Sequence, residues 1–299
     1  LWPSYCCCNP SRLQPCSIKY HKYIDLSDMS VIIKPIAPVK KSLKQYVHFG
    51  IDLYKGNKYF VPPLVLDEIN MLMPEKNPAF DFCLAQSYMA YRDGKPVGRI
   101  TGIINSRANE KFAEKTLRFG LVDFIDDDEA VDALFRAVQL WGHNHGMTKI
   151  AGPMGMLVEG FEELGTQATI YNYPYYVRQM ERLGFAKEAD WVEYRIKIPK
   201  QIPERYARIA DIVSRKFNLR PLQLTSRKVI AQRYGQAIFE LINRSYGELY
   251  GFVSLTQKQI DHYIKMYLGL LRLEDVCLIV DAEDTLVGVG ISMPSLSKA

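Results

Sequence analysis

Apolar and polar positions from Val31 onward fall into two rhythms, one of strands and one of helices. SYMAYRDGKPVGRITG (Ser87–Gly102) reads as an apolar strand, a polar turn at Asp93-Gly94 and a second strand opening Val-Gly, which predicts a hairpin. LRFGLVDFI (Leu117–Ile125) is a strand by its alternating, β-branched content. After it, Val131, Leu134, Phe135, Val138 and Trp141 recur at helical spacing on one face, and Gly142 and Gly146 are placed to end that helix. A short strand TKIAGP, a tyrosine-rich stretch, a helix YYVRQMERLGF and a strand WVEYRIKIP come next. Ahead of the hairpin stand two helical segments, SLKQYVHFGIDLY (Ser42–Tyr54) and VLDEINMLM (Val65–Met73).

The same order returns near the end. CLIVDAEDTLVGVGIS (Cys277–Ser292) aligns without gaps on the first hairpin, preceded by AIFELINRSYGELY (Ala237–Tyr250) and TQKQIDHYIKMYLGLL (Thr256–Leu271). In both copies the first helical segment closes on Leu-Tyr. The expected organisation is a leader over residues 1–28, a first domain over 29–199 and a second over 200–299, joined near Pro199–Pro203. Nothing in the second copy answers to the later strands and helices of the first, so the second is expected to be truncated.

Composition narrows the class. With 48% apolar and 24% charged residues, the 299-residue chain is that of a folded globular protein. Its longest apolar runs, such as Val276–Val280, fall far short of a bilayer span, and no membrane partner is expected. A net charge of +5 is mild for this size. Four of six cysteines lie among the first 16 residues, ahead of the first methionine at Met29, and the remainder suits a reducing cytoplasm. Adjacent Cys6, Cys7 and Cys8 do not turn readily onto one tetrahedral ion, and His143 and His145 do not share a helix face, so no metal site is assigned.

ERLGF (Glu181–Phe185), between the late helix and the last strand, resembles a stretch common in the GCN5-related N-acetyltransferase (GNAT) fold. Longer strings, KNPAFDFCLAQSYMAYRDGKPVGRITGIINSRANEK, MLVEGFEELGTQATIYNYPYYVRQMERLGF and MPSLSKA, resemble one bacterial group of tandem proteins with that fold. The resemblance implies an α/β fold, a tandem of GNAT-like domains, and acyl transfer from acetyl-CoA to a small-molecule or peptide amine in the full-length protein. It also implies a polar loop between the equivalents of Gly155 and Met156, which are adjacent here.

Two positions depart from the family pattern. The family's pyrophosphate loop is glycine-bearing, because short residues let backbone N–H groups and a helix N-terminus reach the anion. That place is Ile125–Val131 here, which has no glycine and holds Asp126, Asp127, Asp128 and Glu129. These carboxylates repel a pyrophosphate and suit helix capping instead. The family's general-acid tyrosine position is Met180, with Tyr175 and Tyr176 about one turn earlier. Acetyl-CoA is therefore expected in the second domain of the full-length protein, with no cofactor residue assigned in this chain.

Candidate chemistry concentrates in Glu159–Tyr176. Glu159, Glu162 and Glu163 are carboxylates suited to deprotonating an amine, and Tyr176 is the phenol of interest. Tyr171, Asn172 and Tyr173 suit the walls of an acceptor pocket, and Asn105 and Arg107 suit an anionic group on the substrate. The competing reading is a non-catalytic protein on the same scaffold that binds a ligand or, through eight basic residues in Lys200–Lys228, a nucleic acid.

Overall fold

The computed structural model describes residues 30–165, 170–267 and 272–292. The leader, the MPSLSKA string and most of GTQATI lie outside the described residues. Contacts divide the chain into two compact units, one ending at Trp191 and the other beginning at Val192.

In the first unit β1 (Val31–Ile36) leads into helices α1 (Lys40–Asp52) and α2 (Val65–Met71), then β2 (Cys83–Arg92) and β3 (Lys95–Asn105). A one-and-a-half-turn helix α3 (Ser106–Lys111) precedes β4 (Thr116–Phe124), α4 (Asp128–Asn144), β5 (Lys149–Ala151) and α5 (Tyr175–Arg182). The five strands lie side by side in sequence order. All pairs are antiparallel except β4 with β5.

The alternation of β3 sorts its residues between two layers. Ile100 and Ile104 join a core built with Leu134, Phe135 and Val138 of α4, and Gly98 and Gly102 let that helix lie close: a Cβ on Gly98 would meet Leu134 at 2.6 Å. Arg99 and Thr101 turn the other way, toward α1, whose Leu43, Tyr46 and Val47 pack with Ile69 and Leu72 under Met89 of β2. The sheet is thus covered on both faces, as in a three-layer α/β fold.

Two irregularities in β4 prepare the place where a site can form. Arg99 pairs Asp123 and Thr101 pairs Gly120, so Ile100 faces both Leu121 and Val122 in a bulge, with Leu121 at φ 45°. The Tyr46 hydroxyl donates to the Leu121 carbonyl at 3.0 Å and so supports the bulge. Next, β5 pairs only Thr116–Arg118, so β4 runs on for its last six residues without a partner on that side. The two parallel strands thus splay beyond Arg118.

The second unit holds α6 (Glu204–Phe217), β6 (Arg220–Pro221), α7 (Arg227–Val229) running through a π turn into α8 (Gly235–Tyr246), then α9 (Gln257–Tyr267), β7 (Val276–Val280) and β8 (Leu286–Ile291). Its three strands form one antiparallel sheet, and Ile230, Tyr234, Ile238, Leu278 and Val280 make its core.

Four expectations are corrected. WVEYRIKIP joins neither sheet; its apolar residues alternate as a strand's do, but Tyr194, Ile196 and Ile198 stay exposed, and alternation without an edge to pair with does not make a strand. Asn105, assigned to an anionic group, instead accepts the Ala108 N–H at 2.9 Å and caps α3. Gly142 does not end α4 but lies inside it, where a Cβ would meet Leu117 at 2.6 Å; the helix stops two residues later, before Gly146 at φ 75°. Both Leu-Tyr pairs sit just past their helices rather than within them.

Candidate functional site

Two clusters converge where the splay of β4 opens. The first surrounds the acidic turn between β4 and α4. Asp127 is the N-cap of α4 and accepts the Ala130 N–H at 2.8 Å. Arg92, at the end of β2, pairs with Asp127 and, at 2.5 Å, with Glu129. The hydrogen bond from Arg92 holds the Asp127 carboxyl below the usual carboxylate range. Glu129 also accepts from Ser30 Oγ at 2.9 Å and from the Val31 N–H at 3.2 Å, which ties the start of β1 to this turn.

The other side of the turn is covered by α5. Arg178 pairs with Asp126, fully buried Gln179 donates to Asp126 at 2.9 Å and Asp128 at 2.8 Å, and Arg182 reaches Asp132 at 2.7 Å. The four carboxylates expected to act as caps therefore do more than cap: one caps, and the rest join β1, β2 and α5 to the head of α4. Their charge is used within the protein.

The second cluster is buried beside it. Asp123, 7% exposed, accepts from Arg99 Nε at 2.7 Å, from the Tyr54 hydroxyl at 2.8 Å and from the Tyr176 hydroxyl at 3.3 Å. The Tyr54 and Tyr176 hydroxyls are 2.9 Å apart. Arg99 lies over the Tyr46 ring and donates to the Tyr46 carbonyl at 3.1 Å. Burial, and then the charge of Asp123, raise the Tyr54 and Tyr176 phenols well above their ordinary range, so both stay protonated donors at neutral pH.

The tyrosines of α5 also take the free edge of β4. Phe124 donates its N–H to Tyr176 at 3.1 Å, and its carbonyl accepts from Tyr175 at 2.6 Å. The main-chain groups that the splay leaves without a strand partner at its C-terminal end are thus satisfied by side chains of the same unit.

Glu68 of α2 completes the buried cluster. Its carboxylate stands 3.9 Å from Arg99, an ion-pair distance but too long for a hydrogen bond, and its buried Oε2 has no hydrogen-bond partner. Burial raises the Glu68 pKa against the opposing pull of Arg99. A carboxyl whose folded pKa lies above its unfolded value binds more protons in the folded state, so stability falls as pH rises through that interval. Glu68→Gln is expected to flatten this fall: urea unfolding at pH 5 and pH 8 should show a smaller difference in the variant than in the parent. Equal differences in the two proteins would contradict this account of Glu68.

The residues marked in the sequence separate into two groups. Tyr171, Tyr173 and Tyr176 meet around Tyr54, whose ring lies 5.6 Å from Tyr171 and 5.0 Å from Tyr173. Asn172 is buried and bridges the Leu157 N–H and carbonyl at 2.7 and 3.0 Å, a loop-fixing arrangement that leaves no group for an acceptor. Glu159, Glu162 and Glu163 lie exposed in the loop and do not join the cluster. Asn105 is spent on the α3 cap, and Arg107 stacks on Phe82 at 5.1 Å with its buried Nη1 unbonded. Sequence reading missed Arg99, Asp123, Tyr54 and Glu68. The available signal was a charged residue inside each of two otherwise apolar strands, Arg99 in VGRITGII and Asp123 in LVDFI.

The residues present do not fit the phosphates of CoA in this unit. Ile125–Val131 offers no glycine, its carboxylates are paired, and α5 lies across the turn. Among the described residues no group of three metal-ligating side chains is found, and no helix is long and apolar enough to cross a membrane.

No protein-family model matches the chain. Protein YghO of Escherichia coli (strain K12) is 27% identical over 269 residues, covering 87% of this chain and 67% of that protein. A bacterial ceramide synthase of Caulobacter vibrioides (strain NA1000 / CB15N) is 27% identical over 293 residues, covering 91% of this chain and 72% of that protein. Among solved structures, a tandem GNAT protein from the clavulanic acid biosynthesis pathway aligns with a TM-score of 0.44 at 12% identity over 88% of this chain and 75% of its own. AAC(6')-Iy, in complex with the bisubstrate analogue CoA-S-monomethyl-acetylneamine, aligns with a TM-score of 0.34 at 15% identity over 56% of this chain and 99% of its own. The strand order of the first unit and the recurrence of helix, helix and hairpin in the second are those expected from the resemblance to tandem GNAT-like proteins.

Proposed function

We propose that the protein serves acyl transfer from a thioester to an amine, and that its first unit does so without holding the phosphates of CoA. The observation that carries this is the splay of β4 from β5, kept open along the strand but closed at the acidic turn by Arg178, Gln179 and Arg182. The scaffold of an acyltransferase is retained, and the seat of the nucleotide is filled by the protein's own ion pairs. The hydroxyls of Tyr54, Tyr175 and Tyr176 lie along the unpaired end of β4. They hold the β4 terminus and Asp123 in place, a positioning role.

The relatives suggest the acceptor class. Ceramide is a fatty acyl amide of a long-chain amino alcohol, and one relative is named as a ceramide synthase. A long-chain amino alcohol is therefore the first acceptor to test, ahead of short amines and peptides. A second reading, a non-catalytic ligand-binding protein on this scaffold, is favoured specifically by the closure of α5 on the turn.

The test is calorimetric titration of acetyl-CoA and of a long-chain acyl-CoA into the purified chain, with release of free thiol monitored in the presence of a long-chain amino alcohol or a short amine. The expected result is no acetyl-CoA binding that depends on Ile125–Val131. Saturable acetyl transfer lost on substitution at Asp127 or Asp128 would overturn the closed-seat reading. Absence of thiol release with every acceptor and both thioesters would favour the ligand-binding reading.

A further inference from the structure

The second unit carries a contiguous apolar surface that its own core does not use. No residue of α6 is buried, and Tyr206, Ile209, Ile212, Val213 and Phe217 stand exposed, Tyr206 at 62% and Phe217 at 57%. At 100° per residue these five fall on one side of the helix, with Arg205 and Lys216 set within the arc between Ile212 and Ile209 and with Arg208 and Arg215 beyond Ile212. The chain leading into α6 repeats the pattern in extended form. Tyr194, Ile196 and Ile198 alternate with Arg195 and Lys197, and Ile198 is 90% exposed.

Charge identifies the partner. From the extended segment to the end of α6, residues 192–217 hold Arg195, Lys197, Lys200, Arg205, Arg208, Arg215 and Lys216 against Glu193, Glu204 and Asp211, a surplus of four beside a net +5 for the whole chain. Asp211 is itself paired with Arg215 at 2.9 Å. Both the apolar stripe and the positive charge of the protein are thus gathered on one short stretch. A second copy of this chain would cover the isoleucines but would set like charges against each other. A nucleic acid would satisfy the cations and leave the isoleucines in water. An anionic lipid surface answers both, because headgroups meet the arginines while the apolar stripe enters the acyl boundary.

We propose that α6 and the extended segment before it form a peripheral docking surface for anionic lipid bilayers, with α6 lying in the plane of the interface. This goes beyond the proposed acyl transfer and does not depend on it. It replaces the sequence-based expectation that the protein has no membrane partner, while requiring no spanning helix. Arg205 and Lys216, within the arc beside Ile212, lay their apolar stems along the stripe and extend their charges toward the headgroups.

The test is flotation of the full chain with vesicles of phosphatidylcholine alone and with about 30 mol % phosphatidylglycerol, a content that gives a strongly negative surface. Binding is expected to the anionic vesicles, and to weaken at high salt. Ile209→Asp with Ile212→Asp is expected to lower binding at least about tenfold, since two side chains lose their place in the acyl boundary. Arg205→Glu with Arg208→Glu should weaken it by about fivefold or more per side chain. Because none of these residues is buried, melting temperature and far-UV circular dichroism should not change. Failure of the parent protein to float with anionic vesicles would overturn the proposal, as would undiminished flotation of both variants. Salt-sensitive retention on duplex DNA without vesicle binding, or a dimer in light scattering that the isoleucine substitutions dissolve, would assign the surface to another partner and equally overturn it.

Discussion

Arg99→Met lowers the unfolding free energy by about 3–5 kcal/mol, the range for removing one partner of a buried ion pair. The side chain is 5% exposed and the Asp123 that it would abandon is 7% exposed, so neither charge has water to fall back on. With Arg99 gone, Asp123 keeps only the hydroxyls of Tyr54 and Tyr176, and Glu68 loses the sole cation near it among the described ion pairs. The space left over α1 is also occupied by nothing else, because Gly50 packs directly against the guanidinium: a Cβ there would lie 2.1 Å from it. Urea unfolding of the variant measures the loss. Arg99→Met combined with Asp123→Leu should cost less than the two single changes together, since the double variant leaves no orphaned charge at that pair. Full additivity would show that the two side chains contribute independently, against the geometry.

Phe119→Ala is expected to cost a similar amount, about 3–5 kcal/mol, for a different reason. Phe119 sits 2% exposed at the point where β4 leaves β5. Its ring meets Phe135 of α4 edge-on at 5.0 Å and Phe185, just past α5, at 5.4 Å. The ring thereby joins the helix that begins at the acidic turn to the segment that returns from α5. Truncation leaves a cavity between elements that cannot close on it, since α4 is held close to β3 at Gly98 and Gly102. Phe119→Leu fills most of that volume and should lose less than half as much by the same measurement. Equal losses in the alanine and leucine variants would show that ring contacts rather than volume carry the stability.

The elements that were legible in the sequence share one property: their signal is local. The β2–β3 hairpin announced itself through Asp93-Gly94, both at positive φ, and α4 through five apolar residues at helical spacing. The repeat of helix, loop, helix and hairpin was readable because each copy carries the same local order. The candidate site was not, because its bonds join residues far apart in sequence. Periodicity says that Asp123 lies in a strand, and cannot say that Tyr54 is its partner. The acidic turn shows the same limit. Four adjacent carboxylates plainly disfavour a phosphate, yet the use made of them depends on Arg92 and on the cationic face of α5, neither of which is near them in sequence. WVEYRIKIP failed in the opposite sense: its local rhythm is strand-like, and what a strand also needs, an edge, is not a local property.

The order of the sheet has a consequence for how the first unit folds. Strands β2, β3 and β4 meet neighbours adjacent in sequence, so the middle of the sheet zips from short loops and forms early. The Arg99–Asp123 pair, 24 residues apart, closes with it. The bonds of Asp123 to Tyr54 and Tyr176 span 69 and 53 residues and carry a larger closure entropy. Until α5 docks, the Asp123 carboxylate lacks its Tyr176 partner, and the outward N–H and carbonyl of Phe124 have none of their side-chain partners. The end of α1 and α5 therefore share the costlier closures, those that separate a zipped sheet from a finished unit.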